Sequence, residues 1–64
     1  MMTKIYICYY GINWDFLAAP RASLDKAMKE AEEGLPLHDV CRVTEYTLNN
    51  GVYEETAEYE LTND

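Results

Sequence analysis

The sequence is poor in basic residues, histidine and glycine, and it has no long hydrophobic run. Only 5 of its 64 residues are lysine or arginine, against 12 aspartate or glutamate, and the formal net charge is −7. This balance excludes a nucleic-acid-binding protein that relies on a basic surface and disfavours anionic membranes. We therefore expect no direct contact with nucleic acid or membrane. The acidity indicates either a basic protein partner or simply a need for solubility.

Metal-binding and catalytic motifs are missing as well. Cys8 and Cys41 have no CxxC spacing, and His38 is the only histidine, whereas a structural zinc site needs about four such ligands. The three glycines are scattered, so they form no phosphate-binding loop, and a single histidine provides no convincing catalytic triad. We expect no metal, no cofactor and no enzymatic activity. We also expect two buried free thiols, since a disulfide requires the two strands to lie side by side.

The N-terminal run MMTKIYICYYG has one lysine followed by a short tyrosine-rich stretch. It lacks the apolar core and the small-residue cleavage site of a signal peptide, and no stretch of the sequence approaches the length of a membrane span. These features predict a cytoplasmic protein.

The length allows a single domain over residues 1–64. Two elements are clear in its first half. Lys4 to Tyr10 (KIYICYY) is rich in β-branched and aromatic residues, which predicts a strand. Ser23 to Glu33 (SLDKAMKEAEE) has apolar residues at i, i+3, i+4 and i+7, which predicts an amphipathic helix. Ser23 is a good N-cap, and Gly34 with the following Pro36 predicts the end of this helix.

Asp39 to Leu48 and Val52 to Leu61 read as two strands joined at Asn49-Asn50-Gly51, because Asn-Gly between β-rich runs is a strong hairpin signal. A two-residue loop would pair Val43 with Glu58. A three-residue loop would pair Val43 with Ala57 and so place apolar beside apolar, and we favour it. That register predicts a core formed by Cys41, Val43, Ala57, Tyr59 and Leu61, with Ile5 and Ile7, against Leu24, Met28 and Ala31.

The resulting order is β-α-β-β, an α+β fold with one helix packed on a three-stranded sheet and a C-terminal antiparallel hairpin. The first connection is expected to be a right-handed crossover through the helix, with the first strand at an edge of the sheet. Edge strands template association, and Tyr6 and Tyr10, with Tyr46 near them, would give this strand an exposed aromatic patch. A homodimer through the edge strand is therefore one hypothesis for function.

The loop 11–22 is long for so small a domain, and it contains Trp14, Phe16 and Leu17. In one interpretation the loop folds back and covers the rim of the core. In the other, Trp14 and Phe16 are presented to a partner, since tryptophan and tyrosine are enriched in binding hot spots. The sequence leaves both interpretations open.

The acidic residues are unevenly distributed along the chain. Up to Arg21 the net charge is +1, whereas from Ala22 onward there are 3 basic and 11 acidic residues, a net of −8. Alternate carboxylates on a strand lie roughly 6–7 Å apart, close to the spacing of successive phosphates in a nucleic-acid strand. A row such as Glu54, Glu58 and Glu60 on the last strand is thus a candidate phosphate mimic. The candidate acidic contact residues are Glu54, Glu58, Glu60, Glu45, Glu30 and Glu33.

A short, acidic, tyrosine-rich chain with an SLDKAMKEAEEG helix and an NNG hairpin resembles the small proteins encoded by phages and other mobile elements. These include anti-CRISPR and anti-restriction inhibitors, some of which mimic nucleic acid. The resemblance implies a non-enzymatic inhibitor of a basic, nucleic-acid-handling host defence protein, acting in the host cytoplasm. The aromatic contact residues of such an inhibitor would be Trp14, Phe16, Tyr6, Tyr10 and Tyr46.

Overall fold

One α-helix packs on a four-stranded antiparallel sheet in the computed structural model, which describes residues 3–14 and 16–62. The elements are β1 (Lys4–Tyr10), β2 (Phe16–Leu17), α1 (Leu24–His38), β3 (Val40–Asn49) and β4 (Val52–Thr62). The strands lie in the order β2-β1-β3-β4. The predicted α+β class with one helix and a C-terminal hairpin is confirmed, and β2 makes the sheet four-stranded rather than three-stranded. Within the described ranges no helix has the length and apolar character needed to cross a membrane.

The long connection after β1 carries the chain back along that strand. Residues 16–21, which we call the return segment, run antiparallel to β1 and bond to its outer edge. Ala18 N–H donates to the Cys8 carbonyl at 2.9 Å, and Tyr6 and Arg21 exchange two backbone bonds of 2.8 Å. Because the chain has already turned back before the helix begins, β3 arrives antiparallel to β1. The expected right-handed crossover, which applies to parallel strands, is therefore absent between these two strands.

Helix α1 begins where the sequence predicts and ends later. The Ser23 hydroxyl accepts a hydrogen bond from the Lys26 N–H at 3.5 Å, and Asp25 lies in the first turn, where the partial positive charge of the helix end favours a carboxylate. The predicted end at Glu33 is wrong, since the helix continues to His38.

Gly34 and Pro36 lie inside the helix, and each fits there for its own reason. A Cβ built on Gly34 would lie 2.6 Å from Cε1 of Tyr10, so the missing side chain lets the tyrosine ring lie against the helix. Pro36 falls in the last turn and removes only one backbone donor there. The helix ends instead at His38, and its C-cap is Asp39, whose φ is 64° and whose N–H donates to the Leu35 carbonyl at 2.8 Å.

The core lies between α1 and one face of β1 and β3. Its buried members are Tyr6, Cys8, Tyr10, Ala27, Ala31, Cys41 and Val43, with Leu24 and Met28 packed against them. The prediction that Ile5 and Ile7 enter this core is wrong, because the other face of β1 meets the helix. Both faces of β1 are apolar, so the alternation alone does not choose between them. Tyrosine hydroxyls need partners when buried, and on the helix side Tyr6 donates to Glu45 and Tyr10 donates to the Glu30 carbonyl.

The hairpin has a two-residue loop and a β-bulge, not the predicted three-residue loop. Asn50 and Gly51 both have positive φ, as the common two-residue turn requires. The register shifts where Thr56 is left unpaired between Glu55 and Ala57, so that Val43 pairs with Tyr59. The predicted pairing was off by two residues. A shift of two preserves the faces, so Ala57, Tyr59 and Leu61 still share a face with Cys41 and Val43.

The two cysteines are buried and free, as predicted. Although β1 and β3 do lie side by side, Cys8 is opposite Val43 and Cys41 is opposite Tyr10. The thiols are therefore diagonal neighbours, and alpha carbons in that relation lie about 7–8 Å apart, beyond the usual span of a disulfide. Burial raises the pKa of the Cys8 thiol to about 11, which keeps it protonated and unreactive at neutral pH.

Replacing Gly34 with alanine should lower the free energy of unfolding by about 1–3 kcal/mol, because the new methyl group collides with the buried Tyr10 ring. Helix propensity alone predicts the opposite sign, a gain of about 1 kcal/mol. Urea unfolding followed by circular dichroism measures the difference. The exposed neighbour Glu33→Ala is the control and should change stability little. A Gly34→Ala variant more stable than the parent would contradict this account of the helix.

Candidate binding surface

The helix covers only one side of the sheet and leaves the other without a second layer among the described residues. Pairing places the following side chains on this uncovered side, which we call the open face: Ile5, Ile7, Tyr9, Arg42, Thr44, Tyr46, Leu48 and Tyr53. At the hairpin end Leu48 and Tyr53 are 36% and 46% exposed. The other aromatic and aliphatic side chains of the open face are partly buried, and Thr44 at its centre is fully buried. An exposed apolar patch of this kind can mark an interaction site.

The guanidinium of Arg42 contacts two aromatic rings at one end of the open face. The Arg42 Cζ lies 5.1 Å from the ring centre of Tyr9 and 4.8 Å from that of Trp14, within the range of cation–π attraction. Tyr9 and Tyr46 share a hydrogen bond between their hydroxyls at 2.7 Å. Burial and this bond raise the pKa of Tyr46 to about 12. Trp14 is therefore half-buried on the open face. One part of its side chain covers the sheet, and the other part is accessible to a partner.

Three glutamates of β4 follow the open face as a line of carboxylates. Glu55, Glu58 and Glu60 pair with Tyr46, Thr44 and Arg42 respectively. We call these three residues the acidic row. The ion pair between Arg42 and Glu58, at 3.9 Å, is half-exposed and therefore weak. The row keeps most of its negative charge toward solvent.

The bulge at Thr56 makes the acidic row differ from the row of glutamates predicted from the sequence. The sequence predicts Glu54 beside Glu58 and Glu60, but Glu54 pairs with Thr47, whose side chain is on the helix side. The unpaired residue reverses the alternation between Glu55 and Ala57, so that Glu55 takes the place expected for Glu54. No signal within β4 itself marks a bulge, and the sequence therefore missed Glu55.

Glu45 is a structural residue rather than a surface contact. It is 8% exposed, and its carboxylate accepts hydrogen bonds from the Thr56 hydroxyl at 2.7 Å and the Tyr6 hydroxyl at 2.9 Å. Lys4 Nζ lies 3.5 Å away. These hydrogen bonds hold the pKa of Glu45 below its ordinary value, and the bond from Thr56 has the largest effect. Conversely, the bond to Glu45 raises the pKa of Tyr6.

The helix glutamates lie among basic residues. An open groove of about 250 Å³ is lined by Arg21, Lys26, Lys29, Glu30 and Glu33. Arg21 binds Glu30 with an Nη2–Oε2 distance of 2.6 Å, and the pair lowers the pKa of Glu30. Glu30 and Glu33 therefore belong to a mixed-charge surface on the far side from the acidic row. The acidic residues of the helix and of β4 do not form one continuous surface.

The predicted aromatic patch is redistributed by the fold. Tyr6 and Tyr10 are each 8% exposed and lie under the helix, so they are not on the surface, contrary to expectation. Phe16 is 62% exposed and lies beside His38, with ring centres 5.8 Å apart. Tyr46 is half-buried on the open face. Tyr9, which is not among the predicted contact residues, lies there too because the other face of β1 packs against the helix.

No group of three or more histidine, cysteine, aspartate or glutamate residues within 3–14 and 16–62 is arranged to hold a metal ion. Comparison with protein-family models, with curated proteins and with solved structures finds no match for this chain. The surface itself, an aromatic sheet face bordered by a line of carboxylates, is the feature from which a function can be inferred.

A Glu45→Gln variant should be less stable at neutral pH and should lose less stability in acid. The pKa of Glu45 is lower in the folded protein than its ordinary value of 4.5. Its ionised form therefore adds stability above pH 4.5, and this contribution disappears as the pH falls through the folded-state pKa. Urea unfolding of both proteins across this range measures the effect. The exposed Glu54→Gln is the control, and an unchanged pH profile for Glu45→Gln would contradict the assignment.

Proposed function

We propose that this protein is a non-enzymatic binding protein whose open face and acidic row receive a basic protein partner. The observation that carries the proposal is the position of the acidic row directly beside the aromatic open face. Aromatic side chains supply contact area and hot spots, and carboxylates at the margin favour a positively charged partner and speed its association. One partner surface can contact both features, since they share one side of a single sheet.

The partner class follows from the charge arrangement and from the resemblance to mobile-element inhibitors. A line of carboxylates along one strand has a spacing similar to that of phosphates, which makes a protein that normally binds nucleic acid the fitting target. Occupying its basic site would block that protein without any chemistry. We therefore propose an inhibitor of a nucleic-acid-handling host defence protein, of the anti-CRISPR or anti-restriction type, that acts in the host cytoplasm.

The alternative hypothesis, a homodimer through β1, requires β1 to be an edge strand, and this expectation is wrong because β1 lies between β2 and β3. The return segment occupies that edge, and backbone bonds at Tyr6 and Cys8 use the groups that a second copy would need. The tyrosines proposed for the contact, Tyr6 and Tyr10, are buried. The geometry therefore favours binding through the open face over association through β1.

Reversing the charge of the acidic row should weaken partner binding by at least about tenfold, or about 1.4 kcal/mol. The variant is Glu55→Lys, Glu58→Lys and Glu60→Lys together. Partners are captured from host lysate at low salt and identified, and the affinity of the purified partner is then measured for both proteins. Binding to the parent should weaken as salt rises, because exposed charges are screened, and nucleic acid should compete for the partner.

The matched control is Glu32→Lys, Glu33→Lys and Glu54→Lys, which changes the net charge equally but lies outside the acidic row. It should retain binding. A sharper comparison is Glu54→Lys against Glu55→Lys, because these neighbours point to opposite sides of β4. Equal effects of the two triple variants, or a partner affinity insensitive to salt, would refute the proposal.

Trp14→Ala should weaken the same partner by about tenfold or more while the protein remains folded. Trp14 is half-buried against Arg42 on the open face, and truncation of an aromatic hot-spot residue costs about 2 kcal/mol or more of binding. Ile12→Ala is the control, since Ile12 is 84% exposed in the same loop. Calorimetry with the purified partner measures both variants, and amide spectra check the fold. Full binding by Trp14→Ala would exclude this end of the open face from the contact.

A further inference from the structure

The outer edge of β4 differs from the edge at the other side of the sheet. The return segment covers the edge of β1 with backbone bonds at Tyr6 and Cys8. β4 pairs with β3 alone among the described strands. Edge strands direct unpaired N–H and C=O groups outward and accept further strands. The outer strands of the sheet are β2, which has two residues, and β4, which has eleven. Among the described strands at the edges, only β4 is therefore long enough to pair with an added strand over several residues, and its regular part after the bulge begins at Ala57.

The two faces of β4 beyond the bulge have different chemistry. Glu58 and Glu60 lie on the open face, and Ala57, Tyr59 and Leu61 lie on the helix side. Helix α1 is centred over β1 and β3, as the membership of the core shows, and it leaves Tyr59 38% exposed. Along the outer edge of β4, the helix side of the sheet therefore exposes apolar side chains, and the open face exposes two carboxylates.

We propose that residues 57–61 of β4 bind an extended partner segment as an added strand, in which lysine or arginine alternates with apolar residues. An added strand lies about 4.8 Å from β4, and side chains on the same face of paired strands are in contact. Its basic side chains would meet Glu58 and Glu60, and its apolar side chains would meet Tyr59 and Leu61. The proposal rests on the proposed function for the basic character of the partner, and adds how the partner binds.

Charge also selects against a second copy at this edge. Two antiparallel copies of β4 would bring glutamates of one strand beside glutamates of the other, and like charges opposite each other destabilise a sheet. The net charge of −7 on each chain adds to the repulsion. The same carboxylates that attract a basic strand thus keep the edge free of self-pairing.

The test uses a blocked peptide of alternating lysine and valine, about six residues long, which is a typical strand length. Two-dimensional amide spectra of the whole protein should show shifts concentrated at residues 57–61, with cross-strand contacts to the peptide. A peptide of the same sequence with methylated backbone nitrogens at alternate positions should bind at least about tenfold more weakly, because it lacks donors for the edge. A peptide of alternating glutamate and valine should not bind.

The matched protein variants are Glu58→Lys with Glu60→Lys, which should lose the peptide, and Glu32→Lys with Glu33→Lys on the helix, which should keep it. Equal binding of the methylated peptide would overturn the proposal, because charge alone would then explain the affinity. Shifts spread over the open face, or concentration-dependent broadening at β4 without peptide, would overturn it in favour of face docking or a second copy.

Failure of this inference is distinguishable from failure of the proposed function. If the purified partner is bound and lost on reversal of the acidic row, but no backbone pairing at residues 57–61 is seen with the peptide, only the added strand is refuted. If the peptide pairs with β4 as described but no nucleic-acid-handling protein binds, the identity of the partner is refuted and the edge site stands.

Discussion

The carboxylate of Glu45 controls the geometry on which the candidate surface depends. It receives the hydroxyls of Tyr6 and Thr56 and so joins β1, β3 and the bulged residue of β4. A buried charge is tolerated only when it is hydrogen-bonded, and the bulge brings the Thr56 hydroxyl to this position. The bulge in turn places Glu55 in line with Glu58 and Glu60. An internal hydrogen-bond requirement thereby determines the charge pattern outside.

The open face exists because the described residues form one helix, and a single helix covers one face of a sheet. The helix packs closely on β1 and β3, because Ala27, Ala31 and Gly34 are small and let the backbone approach Cys8 and Tyr10. Such close packing leaves β4 at the margin. The return segment then covers the edge of β1, so that the open face and the edge of β4 remain available among the described strands.

Local signals predicted the elements well and their limits less well. The strand Lys4–Tyr10, the N-cap at Ser23 and the Asn-Gly turn all follow from short-range preferences, and the structure has them. The predicted end of the helix was wrong because Gly34 packs against Tyr10 inside the helix and does not take its usual place just after the last helical residue. The predicted aromatic contact residues were partly wrong, because β1 is apolar on both faces and the periodicity does not show which face packs against the helix.

By itself, the sequence determined the α+β class, the acidic charge and the faces of β4 after the bulge, because side-chain alternation there survives a register error of two residues. Only the tertiary structure decided which glutamates stand together, which tyrosines are exposed and which strand edge is open. These depend on contacts between residues far apart in the chain, such as Glu45 with Tyr6 and Arg21 with β1. Distant contacts of this kind leave no local pattern in the sequence, so the surface available to a partner emerges only on folding.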